Sequence, residues 1–128
     1  MPAILLIEDE APLRTSIAAI LRRKGFIVVE AANGSEGVQL SKTCKADLIL
    51  SDVRMPEMDG LAVLEALRKE PATARIPFIL MTGMPDEACM SRAYESGAAD
   101  FLVKPIPTSD LVAAINSQIG KHQGCSHD

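Results

Sequence analysis

Short apolar runs alternate with longer amphipathic stretches along this chain, and the alternation predicts its secondary structure. The apolar runs are continuous, as in strands buried on both faces, and lie at about residues 3–7, 26–30, 47–51, 77–81 and 100–103. The stretches between them have helical spacing; in the first, Leu13, Ile17 and Leu21 form one stripe before Gly25. Five strands that alternate with five helices predict an α/β fold, a doubly wound parallel sheet covered on both faces.

The fourth helical stretch offers less apolar surface than its neighbours. The third stretch opens at Asp59 and has a leucine stripe, formed by Leu61, Leu64 and Leu67. In the fourth, the candidates for an inward position are mostly small or partly polar: Ala88, Cys89, Ala93 and Tyr94. We therefore expect the fourth helix to bury less area than the others and to be displaced more easily.

Length and charge limit the classes of function. The chain has 128 residues, which suit one domain; we place it at residues 1–120, followed by a flexible tail or the start of a linker at residues 121–128. The net charge of −4 and the pI near 5.2 argue against direct nucleic-acid binding. No apolar run approaches the roughly 20 residues of a membrane span and no signal-type segment opens the chain, so we expect a cytoplasmic protein without membrane contacts.

The cysteines and histidines indicate no metal or redox motif. Cys44, Cys89 and Cys125 are odd in number and widely spaced, which is typical of reduced thiols without a shared role. His122 and His127 flank Cys125 in the tail, where a metal site competes with a plain solvated terminus. We favour the solvated terminus, because chain ends are commonly poorly ordered.

Reactive side chains follow four of the predicted strands. Glu8 and Asp9 come after the first strand, Asp52 after the third, Thr82 after the fourth and Lys104 after the fifth. Because the carboxyl ends of parallel strands lie along one edge of a sheet, we expect these side chains to share a crevice. Three carboxylates in one crevice repel one another unless a cation or a proton neutralises them, and oxygen ligands suit Mg²⁺.

Each of these residues also has a plainer interpretation. Asp52 is explained equally by a turn or a helix cap, and Glu8 and Asp9 by attraction to the positive end of the first helix. Lys104 alone fits an ordinary surface lysine, and Thr82 a β-branched residue at a strand end. What favours a functional site is that all of them are expected at the same edge.

Together these motifs resemble the receiver domain of two-component response regulators. The resemblance extends from about residue 3 to about residue 120. It rests on the pair Glu8-Asp9, on DVRMPEMDG around Asp52, on MTG at Thr82 and on FLVKP ending in Lys104 and a proline, all in this order. It implies a flavodoxin-like sheet with strand order 2-1-3-4-5.

The resemblance implies that Asp52 accepts a phosphoryl group from a sensor histidine kinase or a histidine phosphotransfer protein. It also implies that Asp9 and Asp52 hold Mg²⁺ directly, Glu8 through water, and Arg54 by its backbone carbonyl. Lys104 and Thr82 would then contact the phosphoryl oxygens. Such a domain is a signalling module that catalyses only its own phosphorylation and dephosphorylation, not an enzyme with another substrate. Glu8 departs mildly from the family, in which an aspartate is frequent at this position.

The resemblance also assigns a switch and an output surface. Phe101 would be the switch aromatic, turning inward when Thr82 is drawn to the phosphoryl group, although a core aromatic explains it equally well. The surface of the fourth helix, fifth strand and fifth helix would then change for an output domain, a target protein or a phosphorylation-dependent dimer. Arg54 and Met84 flank the hydrolysis route, and we expect them to tune the lifetime of the phosphorylated state.

Two other classes of function compete with this one: an interaction scaffold, and a small enzyme that is either a phosphatase or a cofactor-binding protein. A receiver-like scaffold that works without phosphorylation is disfavoured by the complete set of acceptor, acidic pair, hydroxyl and lysine. A phosphatase of the haloacid dehalogenase type needs an Asp-x-Asp motif, but Arg54 stands at the third position. A flavin-binding protein needs a phosphate loop after the first strand, where Glu8, Asp9 and Glu10 would repel phosphate.

Overall fold

The sheet has the predicted five parallel strands in the order β2-β1-β3-β4-β5. In this computed structural model, which describes residues 1–126 and the side chains of residues 1–120, the strands are β1 Ala3–Ile7, β2 Ile27–Ala31, β3 Leu48–Asp52, β4 Phe78–Thr82 and β5 Asp100–Val103. The second, third and fourth strands begin and end one residue later than predicted, so Asp52 and Thr82 are the last residues of their strands. Asp52 is paired with Met81 in the ladder between β3 and β4, which accounts for the later end of β3.

Four helices connect the strands and a fifth follows β5: α1 Ala11–Arg23, α2 Gly34–Ser41, α3 Gly60–Arg68, α4 Glu87–Glu95 and α5 Thr108–Ser126. No helix among the described residues is both long enough and apolar enough to cross a membrane. The predicted tail at residues 121–128, with His122, Cys125 and His127, lies outside the residues whose side chains are described.

Each face of the sheet has its own hydrophobic core. On one face, alternate strand residues such as Leu5 and Ile49 pack with buried residues of α3 and with apolar side chains of α2 and α4. On the other, Ile4 and Leu50 pack with α1 and α5. The central strands are buried on both faces, which is why their sequences are continuously apolar.

The start of α3 is pressed against the end of β3. A Cβ atom at Gly60 would overlap the backbone carbonyl oxygen of Asp52 and crowd the Leu80 side chain. Asp59 caps the helix, accepting a hydrogen bond from the Ala62 amide at 2.8 Å. Glycine is therefore required at this position, and the close approach holds the loop after Asp52.

The structure corrects part of the prediction for α4. Ala93 is fully buried and Cys89 is half-buried, as expected, but Ala88 and Tyr94 are exposed. Met90, which was not predicted, packs against the core instead. On a helix, the face defined by Cys89 and Ala93 turns Ala88 and Tyr94 away from the sheet.

Candidate functional site

The carboxyl edge of the sheet brings the predicted polar side chains into one crevice. Glu8 follows β1 and is fully buried, while Asp52 and Thr82 end β3 and β4 and are 7% and 2% exposed. Lys104 follows β5, and its side chain is 22% exposed. The strand order places β1, β3, β4 and β5 side by side, so these residues meet although 96 positions separate the first from the last.

Lys104 bridges two buried carboxylates. Its Nζ lies 3.1 Å from Glu8 Oε1 and 3.1 Å from Asp52 Oδ1. Among the described residues, no buried side-chain nitrogen or oxygen lacks a hydrogen-bond partner. An ammonium shared by two carboxylates at this burial is a strong local determinant of structure, because removing it would leave two buried negative charges without a direct cationic partner.

Protonation equilibria in the crevice are shifted by burial and by mutual charge. Burial raises the pKa of Glu8, and the Asp52 charge adds to that effect. Burial also raises the pKa of Asp52; Lys104 opposes this rise and the Asp9 charge adds to it. Burial alone would lower the pKa of Lys104, but its hydrogen bond to Glu8 and the Asp52 charge raise it overall. Keeping these carboxylates ionised therefore costs free energy, and an additional positive charge would reduce that cost.

The acidic residues fit a divalent cation. Glu8, Asp9 and Asp52 each present a carboxylate oxygen, and these oxygens lie within 4.8 Å of one another. Three carboxylates against one ammonium leave a local charge of about −2 when all are ionised. Hard oxygen donors are the ligands of Mg²⁺ and Ca²⁺, so the donor set matches the predicted cofactor.

Thr82 lies at the crevice, but its hydroxyl is engaged with its own loop. Thr82 Oγ1 accepts a hydrogen bond from the Met84 amide at 3.1 Å and donates one to the Met84 carbonyl at 3.3 Å. The Met84 side chain is 63% exposed. The Thr82 hydroxyl is therefore close to the strand end, where another acceptor would have to compete with Met84.

Arg54 and Phe101 lie outside the acidic cluster. Arg54 is exposed and lines a surface cavity of about 520 Å³ between the loop after β3 and α4, which Asp59 and Cys89 also line. Phe101 is 7% exposed and packs in the core that α3 and α4 cover. In this structure the aromatic ring is thus already directed inward.

Arg14 was not predicted from the sequence as a site residue, but it contacts the backbone of the acidic segment. Arg14 Nη1 donates a hydrogen bond to the Glu8 carbonyl at 2.8 Å, and its Nε lies 3.5 Å from Glu30 Oε1. The available signal was weak: a cation in the first turn of a helix is slightly unfavourable for the helix dipole, which favours a specific contact without identifying its partner.

Comparison with known proteins identifies the class of protein that this fold and site define. The family model described as the response regulator receiver domain matches residues 4–116. The chain belongs to this family and is a receiver domain of two-component systems. The predicted family and the predicted strand order are therefore confirmed.

Individual relatives support the assignment to this family. The chain is 38% identical to the chemotaxis protein CheY of Bacillus subtilis, over 91% of this chain and 96% of that protein. It is 37% identical over its whole length to the transcriptional regulatory protein AfsQ1 of Streptomyces coelicolor, of which it spans only 56%. A receiver domain of a sensor histidine kinase from Pseudomonas aeruginosa, solved with a magnesium ion in its active site cleft, superimposes with a TM-score of 0.86 at 30% identity, covering 93% of this chain and 98% of that one.

Proposed function

We propose that the protein receives a phosphoryl group on Asp52 from a phosphohistidine of a sensor histidine kinase or a histidine phosphotransfer protein. The observation that carries this proposal is the 3.1 Å contact of Lys104 Nζ with Asp52 Oδ1, inside a crevice that also holds Glu8 and Asp9. The Lys104 ammonium therefore lies where it could neutralise the negative charge that phosphorylation of Asp52 would add. Membership of the receiver family supports the same role.

In the proposed transfer, a carboxylate oxygen of Asp52 forms a bond to phosphorus as the bond from phosphorus to the donor's imidazole nitrogen breaks. The imidazole keeps the electron pair of the broken bond. Lys104 then contacts a phosphoryl oxygen, and the Thr82 hydroxyl donates to another. Positioning and charge neutralisation supply most of the catalysis in phosphoryl transfer, and the buried crevice strengthens both.

We assign the acidic residues to Mg²⁺. Asp9 and Asp52 would be direct ligands, Glu8 would act through water, and the Arg54 backbone carbonyl would complete the protein's share. The bound ion would offset negative charge on the phosphoryl oxygens. The donor set of three carboxylates supports this assignment, and so does the magnesium ion in the Pseudomonas aeruginosa receiver domain.

We propose that the signal leaves through Thr82 and Phe101. If the Thr82 hydroxyl turns to the phosphoryl group, it gives up its two hydrogen bonds to Met84, and the loop before α4 is freed to move. Because Phe101 is buried here, its outward position would be the other state of the equilibrium. Tyr94 and Val103 are 47% and 46% exposed on α4 and β5, and they offer apolar area to an output domain, a target protein or a second copy.

The proposed setting is a cytoplasmic signalling module that has no substrate other than itself. The family model matches residues 4–116, which supports a receiver at residues 1–120, followed by a flexible tail or the start of a linker at residues 121–128. CheY, which is matched over 96% of its length, illustrates a receiver without an output domain attached.

The test is the intact mass of the folded protein after incubation with a small phosphodonor and Mg²⁺. We expect one labile phosphoryl group on the unaltered protein and none on Asp52→Asn or in excess chelator. Asp59→Asn is a matched control, because this carboxyl lies in the same loop and asparagine preserves the helix cap. No mass gain on a protein that circular dichroism shows to be folded would overturn the proposal and favour the phosphorylation-independent scaffold.

A second experiment addresses the proposed tuning role of Arg54. Arg54 is exposed at the rim of the cavity beside the acceptor loop, so its removal should change the access of water and thus the dephosphorylation rate. Arg54→Ala is compared with Arg75→Ala, an exposed arginine in the loop between α3 and β4. Equal decay rates of the phosphorylated Arg54→Ala, Arg75→Ala and unaltered proteins would refute the role.

A further inference from the structure

Arg14 connects three parts of the fold around the acidic pair. It is the fourth residue of α1, and its side chain is only 18% exposed. One guanidinium nitrogen donates to the backbone carbonyl of Glu8 at 2.8 Å, while another lies 3.5 Å from Glu30 on β2. The guanidinium therefore links α1, the segment after β1 and the edge strand.

The bonded carbonyl belongs to the peptide that joins Glu8 to Asp9. The other polar groups of Glu8 are already fixed: its amide donates to the Ala31 carbonyl at 3.1 Å, and its side chain accepts from the Glu10 amide and from Lys104. The Arg14 hydrogen bond fixes the plane of the next peptide. That plane fixes the positions of the Asp9 nitrogen and Cα, and so restrains the direction in which the Asp9 side chain leaves the backbone to rotation about φ.

Asp9 is the member of the acidic cluster that depends most on this restraint. It is only partly buried, whereas Glu8 and Asp52 are buried and in contact with Lys104. No hydrogen bond or ion pair of the Asp9 side chain is found among the described side chains. The carboxylate is thus held near the other two mainly by its backbone.

Arg22 is a second arginine paired with Glu30, and it can be compared with Arg14. Its Nη1 lies 3.2 Å from Glu30 Oε2, and its Nη2 donates to the Val28 carbonyl at 2.9 Å. Arg22 is 51% exposed and is bonded to β2, away from the acidic cluster. Both arginines share one carboxylate partner, but only Arg14 is bonded to Glu8.

We propose that Arg14 is a positioning residue for the acidic cluster: it holds the Glu8 carbonyl, orients Asp9 toward Glu8 and Asp52, and so raises the affinity of the site for a divalent cation. Glu30 orients the guanidinium for this contact. This inference rests on the proposed cation site. Residues that orient metal ligands through a hydrogen bond typically change metal affinity by 10- to 100-fold when mutated.

The test compares Arg14→Gln, Arg14→Lys and Arg22→Gln. Amide chemical shifts of the unphosphorylated protein, followed by NMR during titration with MgCl₂, give the cation affinity without any reaction. We expect Arg14→Gln to weaken Mg²⁺ binding by about tenfold or more. Arg14→Lys should recover part of the loss, because an ammonium donates to one carbonyl but lacks the fork of the guanidinium. Arg22→Gln should bind as the unaltered protein does, although it too loses a Glu30 ion pair.

Two further measurements separate positioning from general destabilisation. Without metal, the Asp9 amide should exchange with solvent faster in Arg14→Gln than in Arg22→Gln. With a small phosphodonor, Arg14→Gln should need about tenfold more Mg²⁺ for its half-maximal phosphorylation rate. Its rate at saturating Mg²⁺ should approach that of the unaltered protein.

The possible outcomes separate the positioning role of Arg14 from the proposed phosphoacceptor function. If the unaltered protein binds Mg²⁺ and is phosphorylated, but Arg14→Gln binds Mg²⁺ equally well, the positioning role of Arg14 is wrong and the phosphoacceptor function stands. If the folded, unaltered protein neither binds Mg²⁺ nor gains a phosphoryl group, the proposed function fails and this inference fails with it. Equal weakening in Arg14→Gln and Arg22→Gln would assign the effect to Glu30 and overturn the positioning role.

Discussion

The helices α3 and α4 begin in the same way but are held by different forces. Each has nine residues, and each starts at an aspartate whose side chain accepts a backbone hydrogen bond, from the Ala62 amide to Asp59 and from the Ala88 amide to Asp86. In α3, five residues are buried: Gly60, Leu61, Val63, Leu64 and Leu67. In α4, Ala93 alone is buried. Equal length and equal capping thus accompany very unequal apolar burial.

What α4 lacks in apolar contacts is partly replaced by polar contacts near its C-terminal end. Arg68 donates to the Gly97 carbonyl at 2.9 Å, directly after α4, and to the Ile76 carbonyl at 2.9 Å. Glu65 of α3 lies 3.4 Å from Arg92 and accepts a hydrogen bond from Ser96 at 3.5 Å. The exposed Glu65 contacts each contribute about 1 kcal/mol or less, and the hydrogen bonds of the charged Arg68 about 1.5–3 kcal/mol each. A buried leucine contributes about 1.5–3 kcal/mol, and α3 has three of them.

The contrast explains how one sheet face can be both rigid and responsive. The well-packed α3 fixes the loop that follows Asp52, because Gly60 lies against the Asp52 carbonyl. The N-terminal end of α4 borders the same loop across the cavity lined by Arg54 and Cys89, and it is held by fewer contacts. Elements that move during signalling come from the least stable parts of a fold, so α4 is suited to the output role proposed for it.

The largest expected effect comes from removing an apolar side chain from each helix. Leu64→Ala should lower the free energy of unfolding by about 2–5 kcal/mol, because Leu64 is fully buried. Met90→Ala removes a side chain that is only partly buried against the same core, so we expect about 1 kcal/mol. Urea unfolding followed by circular dichroism measures both. A larger loss for Met90→Ala would mean that α4 is packed as firmly as α3.

A smaller effect should come from a side chain added at the end of α4. Gly97 has a φ of +101°, and a Cβ there would lie 2.9 Å from Arg68 Nε. Gly25, after α1, has a φ of +94° but nothing within 4 Å of a Cβ. Gly25→Ala should therefore cost about 1–2 kcal/mol through backbone strain alone, and Gly97→Ala about 1 kcal/mol more through the displaced guanidinium. Equal losses in urea unfolding would show that Arg68 moves aside freely.

The two aspartate caps should differ in how their loss is expressed. A lost cap costs about 1 kcal/mol. For Asp59→Ala the cost should appear in global unfolding, because fraying of α3 would expose Leu61 and Val63. For Asp86→Ala it should appear as faster amide exchange over residues 87–90, with little change in global stability. Asp59→Asn and Asp86→Asn keep the cap and serve as controls; unchanged exchange in Asp86→Ala would contradict local fraying.

The strands and the position of the crevice could be predicted because each follows from a simple rule. Continuous apolar runs marked the five strands, and parallel topology placed Asp52 and Lys104 at one edge. The ends of β3 and β4 were displaced by one residue because a polar residue continues each ladder, Asp52 opposite Met81 and Thr82 opposite Val103. Hydrophobicity cannot mark such an end, because backbone pairing does not depend on the side chain's polarity.

Contacts between distant side chains could not be predicted in the same way. The sequence placed Lys104 beside Asp52, but its equal approach to Glu8 depends on how far β1 and β5 are separated across the sheet. The inward face of α4 was partly wrong because Ala88 and Tyr94 offered as much apolar character as Met90. Arg14 was missed because its partner is a backbone carbonyl, which leaves little trace in a sequence.

The smallest effect is expected from the ion pair between α3 and α4. Glu65 and Arg92 are 38% and 59% exposed, so a double-mutant cycle with Glu65→Gln and Arg92→Gln should give a coupling of about 0.5 kcal/mol at low salt. In about 1 M salt the coupling should disappear, because the Debye length is then only about 3 Å. A coupling above about 1 kcal/mol that persists in salt would contradict this expectation. A weak, screened coupling would instead leave the backbone contacts of Arg68 as the principal polar attachment of α4, with its N-terminal end free to move beside the loop after Asp52.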